Sequence, residues 1–166
     1  MIQIKENILK SAEQKGNQQF LQAIIDAYLE ALDGQLTAKN MDLFNGWQHS
    51  LLAWYYFSTE VNQGGFIQLI QNGYGSYIFD NPFAKAMRLF GAEELSKIVY
   101  KAKKIYDIHR DKLEHETTDE EFMTMYLEFE QFDELEEKYF DIEDQQIDAI
   151  ANYVKTHLEN FIEIIP

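Results

Sequence analysis

Residues 47–75 read WQHSLLAWYYFSTEVNQGGFIQLIQNGYG and are the most apolar, least punctuated stretch of the chain. Leu51 to Phe57 form an unbroken apolar run, and Trp47, Leu51, Trp54, Ser58 and Val61 recur at helical spacing. A helix with so little polar perimeter is buried on most sides. Gly64 and Gly65 then supply backbone freedom that residues with a Cβ lack, so the sequence predicts that the helix stops there. Phe66, Ile67, Leu69 and Ile70 read as a short second helix closed by Gly73 and Gly75. A long central helix, a Gly-Gly break and a short helix are therefore expected at the centre of the fold.

Working outward, Ile4 to Glu13 is weakly amphipathic and ends at Gly16. A stronger helix opens at Asn17 or Gln18, with Phe20, Leu21, Ile24, Ile25, Tyr28, Leu29 and Leu32 on one stripe and Gly34 behind it. On the other side, Asp80-Asn81-Pro82 reads as an Asx cap with proline at the first helical position, starting a helix that runs to Gly91. Ala92-Glu93-Glu94 opens the next helix with acids in its first turn, where they suit the helix dipole. Its Lys97, Lys101, Lys103, Lys104, Arg110 and Lys112 read as a solvated face that offsets nearby acids. Thr118 and Glu121 have capping-box spacing, and Phe122, Met125, Tyr126 and Phe129 mark an apolar face behind them. After a break near Gln131–Asp133 and a short turn with inward Leu135, Tyr139 and Phe140, a last helix carries Ile147, Ile150, Ala151, Val154, Leu158, Phe161 and Ile162. No strand is expected. The chain reads as a single all-α domain, residues 1–166, with about seven to nine helices around the buried central one.

The formal net charge is −15, and its distribution is uneven. Residues 1–113 hold 12 acids and 12 bases, whereas residues 114–148 hold 15 acids and one base, Lys138. Binding to nucleic acid or anionic lipid needs a positive footprint, so neither is expected. There is no cysteine, which removes disulfides, thiolate metal sites and cysteine nucleophiles. No apolar run approaches a membrane span, and a cytoplasmic location is the default expectation.

Familiar chemistry finds little support. None of His49, His109, His115 and His157 has a glutamate three residues before it, and no His-Glu-x-x-His occurs. Asp141 to Asp148 lacks the glycine and the closing glutamate of a calcium-binding EF-hand loop. Gly64-Gly65-Phe66 has no following Lys-Ser/Thr that would make it a phosphate loop. No cofactor or metal is expected, and an enzyme is not. The remaining catalytic or ligand-binding alternative is a pocket near His49, Glu60 and the Gly-Gly turn.

Nine acids, Glu128, Glu130, Asp133, Glu134, Glu136, Glu137, Asp141, Glu143 and Asp144, fall within 17 residues, interleaved with apolar side chains that anchor the segment. Glu114, Glu116, Asp119, Glu120 and Glu121 extend the cluster upstream. Carboxylates three or four residues apart on a helix lie about 5–6 Å apart at Cβ, comparable with the roughly 3.4 Å advance per phosphate of one DNA strand. Such rows can stand in for phosphates. The competing reading is a solvated face that only keeps the protein soluble.

Glu60-Val61-Asn62-Gln63-Gly64-Gly65-Phe66-Ile67-Gln68, followed by Asn72 and Gly75, resembles the E-V-N-x-G-G-F-x-Q…N…G signature of a small, acidic, all-helical bacterial DNA-mimic family. Arg88 to Ala92 and Phe132 to Phe140 are similar to later parts of its pattern, so the resemblance covers Glu60 to Phe140. It implies a protein that occupies the DNA-binding face of a basic protein, such as a helix-turn-helix regulator, and displaces DNA. An acidic immunity-type inhibitor of a basic nuclease is the neighbouring alternative, and a homodimer is compatible with the sequence. The signature residues Glu60, Asn62, Gly64, Gly65, Phe66, Gln68, Asn72 and Gly75 read as structural. The fourteen acids from Glu114 to Asp144 named above are the candidate partner-binding residues.

Overall fold

The computed structural model describes residues 1–166. A short strand β1 (Gln3–Lys5) runs into α1 (Glu6–Lys15) and α2 (Asn17–Leu32), which are separated by Gly16. A 3-10 turn at Met41–Leu43 leads to α3 (Gly46–Gln71), followed by α4 (Gly75–Phe79), α5 (Phe83–Leu89) and α6 (Glu93–Glu114). Then come α7 (Asp119–Glu128), a 3-10 turn at Glu130–Phe132, α8 (Asp133–Thr156), a 3-10 turn at Leu158–Asn160 and strand β2 (Glu163–Ile165).

Helix α3 lies at the centre, as its composition requires. Leu51, Leu52, Ala53, Trp54, Tyr56 and Phe57 are all buried, which covers every side of the helix, and they belong to one core of 44 buried residues. Its start is fixed by a reciprocal cap: the Asn45 side chain accepts the Gln48 N–H and Gln48 returns the bond, each at 2.9 Å. The Gly-Gly pair bends this helix instead of ending it. Only Gly65 leaves helical geometry, at φ 74° and ψ −168°, and the chain resumes helical conformation to Gln71, beyond which Gly73 at φ 89° ends it.

Other expectations are also corrected. Two strands exist: β1 and β2 pair in parallel, Ile4 opposite Ile164, and tie the two ends of the chain together. Tyr28 Oη and Gln48 Nε2 both donate to the Phe161 carbonyl, at 2.9 and 2.8 Å, which pins the final segment to α2 and α3. Asn81 does not open α5. Its amide donates back to the Ser76 and Tyr77 carbonyls, closing α4, and Pro82 occupies the position before the first residue of α5. Helix α8 is continuous from Asp133, where a short turn and a later helix are read from the sequence. It ends at Thr156, ahead of Phe161 and Ile162. On this helix Phe140 is 48% exposed, contrary to the inward position expected of it, because nothing packs over that turn, while Leu135 and Tyr139 stay buried. Helix α8 packs across α6, α2 and α3, which fixes how the acidic segment is presented.

Candidate functional site

At roughly 100° per residue, Asp133, Glu134, Glu137, Asp141, Asp144 and Asp148 of α8 fall within an arc of about 100°. All six are exposed. Leu135, Gln146, Ile150 and Val154 occupy the opposite side and are buried. Fifteen helical steps at 1.5 Å make this stripe about 22 Å long, one carboxylate every 4–5 Å or so. Glu134 pairs with Lys138 at 3.3 Å and Asp148 accepts the Asn17 amide at 2.8 Å. Asp133, Glu137, Asp141 and Asp144 make no ion pair or side-chain hydrogen bond within the protein.

Helix α7 supplies the second part of the face. Thr118 and Glu121 form the capping box that their spacing predicts, at 3.2 and 3.1 Å. Met125 and the following Phe129 are buried, and Phe122 and Tyr126 are half-buried. Glu116, Asp119, Glu120 and Glu130 project unpaired into solvent. Glu128 is bridged by Lys112, and Glu114 by Arg110 and the Tyr106 hydroxyl, so α6 neutralises this edge. Within the basic cluster Lys97 pairs with Glu94 and Lys103 with Asp107, each at 3.0 Å, and Arg110 reaches Asp80 at 2.9 Å, while Lys101 and Lys104 make no ion pair.

Twelve of the fourteen candidate acids are exposed; Glu136 and Glu143 are the exceptions. They are seven residues apart, two helical turns, and fall on the inward side of α8. The Glu136 carboxylate accepts the Phe66 N–H at 2.8 Å, and Glu143 accepts the Asn62 amide at 3.2 Å. Burial pushes both carboxyls above their ordinary range. The Phe66 N–H opposes the shift at Glu136 and Asp133 adds to it, while at Glu143 Asn62 opposes it.

The glycine signature forms the socket that receives them. Glu60 accepts from Gln68 Nε2 at 2.9 Å and Asn72 Nδ2 at 2.8 Å, bracing the two sides of the kink. The Gly64 carbonyl accepts the Tyr126 hydroxyl at 2.7 Å, and Phe66 stacks on Phe132 with centroids 5.2 Å apart. A Cβ at Gly65 would meet the Glu136 carboxylate, and one at Gly75 the Tyr106 ring. Gln71 donates to the His115 carbonyl at 3.0 Å and accepts the Thr117 hydroxyl at 3.0 Å, holding the loop into α7. The structural reading of the signature thus acquires a purpose: it sets α7 and α8 on the core. Sequence reasoning missed Tyr126, Glu136 and Gln71 in this role; polar residues within an otherwise outward or apolar pattern were the available signal.

The alternative pocket near His49 and Glu60 does not assemble. His49 lines a cavity of about 320 Å³ with Ser50, Tyr77, Asn81 and Phe83, and Glu60 lies outside it. Both His49 ring nitrogens are engaged, with the Tyr77 hydroxyl and the Met41 carbonyl, each at 2.9 Å. No three His, Asp or Glu side chains are grouped to hold a metal ion, and no helix is long and apolar enough to cross a membrane.

Residues 41–157 match the family model described as DMP19-like protein, a span that takes in α3, the glycine socket and both acidic helices. The chain is also 30% identical over 145 residues to DNA mimic protein DMP19 of Neisseria meningitidis serogroup B, covering 87% of each protein. With the signature, the all-helical fold and the outward acids in place, the chain belongs to the DMP19-like family of DNA-mimic proteins.

Proposed function

We propose that this protein is a DNA mimic whose outward carboxylates on α7 and α8 occupy the DNA-binding face of a basic protein, such as a helix-turn-helix regulator, and block or modulate its binding to DNA. The observation that carries this is the stripe of exposed acids on α8, four of them unpaired, in a segment with 15 acids and one base. A carboxylate every 4–5 Å or so approaches the roughly 3.4 Å phosphate advance of one DNA strand. The relative's name supports the reading. On this reading the protein acts in the cytoplasm by binding, with neither catalysis nor direct contact with nucleic acid.

Capture from native cell extract tests it. The tagged protein should retain a basic DNA-binding protein at low salt and release it at high salt, because the screening length falls from about 8 Å at physiological strength to about 3 Å at 1 M. Duplex DNA added as competitor should also release it. Failure to retain any basic protein, or indifference of the retained one to DNA, would remove the mimic reading. Retention of a basic nuclease would redirect it to the immunity-type alternative. Size-exclusion chromatography of the same sample reports whether the active form is a monomer or a homodimer.

A further inference from the structure

Helix α7 is apolar on two faces. Inward, Met125 is buried and flanked by half-buried Phe122 and Tyr126. Outward, Met123 and Leu127 are 65% and 78% exposed. They are one turn apart, about 5–6 Å between Cβ atoms, and lie opposite Met125 at roughly 100° per residue. Nothing in the protein covers this pair, and a helix serving only to display charge has no use for it. Its surroundings restrict what can cover it. Asp119 and Glu120 share its side of the helix, Glu116 and Glu130 are exposed at the two ends, and no lysine or arginine occurs between Lys112 and Lys138.

We infer that Met123 and Leu127 are the apolar anchor of the partner-binding face, and that the partner is a basic protein presenting an apolar side chain among its arginines and lysines. The inference rests on the DNA-mimic reading and adds a contact that carboxylates cannot make. Charge complementarity selects this occupant. A second copy seated here would bring acids against acids, and an anionic membrane would be repelled.

A DNA-reading face fits the requirement for a chemical reason. Phosphates position a protein on DNA without conveying sequence, whereas apolar side chains on the protein meet the thymine methyl in the major groove. Carboxylates alone would engage basic proteins indiscriminately and lose hold as salt rises. An aliphatic pair between them supplies a contact that persists when charges are screened and that discriminates among basic surfaces.

The test uses the full-length protein and two lysine- and arginine-rich helical peptides of equal charge. One carries two leucines a turn apart on its basic face; the other has serines there. Titration over a salt series should show the leucine peptide binding about tenfold tighter or more, the effect expected for partial burial of two aliphatic side chains. Met123→Gln with Leu127→Gln should erase this preference and leave the salt dependence unchanged. Glutamine suits a solvent-facing helical position, and circular dichroism confirms that the fold is retained. The preference of the unaltered protein is a second measurement that requires no variant. Equal affinity for both peptides, or a preference that survives the double substitution, overturns the anchor and leaves the charge-based reading standing. Binding of neither peptide at low salt overturns both.

Discussion

The Glu136 carboxylate accepts the backbone N–H of Phe66 at 2.8 Å, directly across the kink that Gly65 makes in the central helix. This bond joins the acidic helix α8 to the core through a group that titrates. Burial raises the Glu136 carboxyl above its ordinary value of 4.5, the Phe66 bond opposes the rise and the Asp133 charge adds to it. Because the folded value lies above the unfolded one, the contribution is fully present below about pH 4.5 and is lost as pH rises through the folded value. Glu136→Gln keeps an acceptor for Phe66 without the charge. Its stability at neutral pH should equal or exceed that of the unaltered protein, and its urea midpoint should fall less between pH 4.5 and 7.5. Glu136→Ala strands the Phe66 N–H and should cost about 1–3 kcal/mol. An unchanged pH dependence in Glu136→Gln would show that this carboxyl does not titrate differently on folding.

Gly65 is irreplaceable for two separable reasons. Its φ of 74° with ψ of −168° belongs to a region that is essentially restricted to glycine. A Cβ there would also collide with the Glu136 carboxylate, which its bond to the Phe66 N–H holds in place. Gly65→Ala should therefore cost more than the 1–3 kcal/mol or so typical of backbone strain alone. Adding Glu136→Ala removes the steric part, so the double variant should be less destabilised than the two losses combined. Strict additivity in denaturant unfolding would mean that the two residues do not meet as described.

Tyr139 presents the opposite situation. Its ring packs edge-on against Phe57 at 5.2 Å, and its buried hydroxyl faces Ser58, Asn62 and Glu143 without completing a well-formed hydrogen bond to any of them. Removing an unsatisfied buried hydroxyl while retaining the ring relieves a desolvation cost. Tyr139→Phe should be as stable as the unaltered protein or more stable, by up to about 1 kcal/mol. A loss of that size would reveal a partner for the hydroxyl in solution.

What was legible in the sequence followed local rules. The apolar run at Leu51–Phe57 announces a buried helix, and Thr118 with Glu121 marks the start of α7 one position before its first residue, Asp119. What was not legible depended on distant partners. Three-residue strands at Gln3–Lys5 and Glu163–Ile165 carry no pattern of their own and exist because the chain ends meet. The phase of α8 was hidden for a related reason. With the helix broken after Phe140, Glu136 cannot be placed relative to the face that contains Ile147 and Ile150. A single helix from Asp133 turns Glu136 and Glu143 inward, whereas Phe140, two turns before buried Ile147 on the same side, is exposed for want of a neighbour over it. The fourteen acids therefore separate into an outward set and two that fasten the helix, a division that composition alone does not contain.

That division makes the surface testable. Glu137, Asp141 and Asp144 are exposed, unpaired and clear of the first turn of α8. Converting all three to lysine changes the charge of residues 114–148 from −14 to −8 without touching the inward Glu136 and Glu143. Glu30, Asp42 and Glu159 are also exposed and lie outside the segment, so their conversion to lysine gives the same overall change as a control. Both triple variants should unfold within about 0.5 kcal/mol per site of the unaltered protein, because exposed charges contribute little to stability. Association with a basic DNA-binding partner should respond differently. The α8 variant should bind about tenfold more weakly or worse, mainly through slower association and with a shallower dependence on salt, since long-range attraction steers the encounter. The control should lose far less. Equal losses would mean that net charge, not the arrangement on α8, governs binding, and the carboxylate stripe would no longer count as a phosphate imitation. If neither triple variant weakens binding, the acids are a solvated face and the partner is held elsewhere.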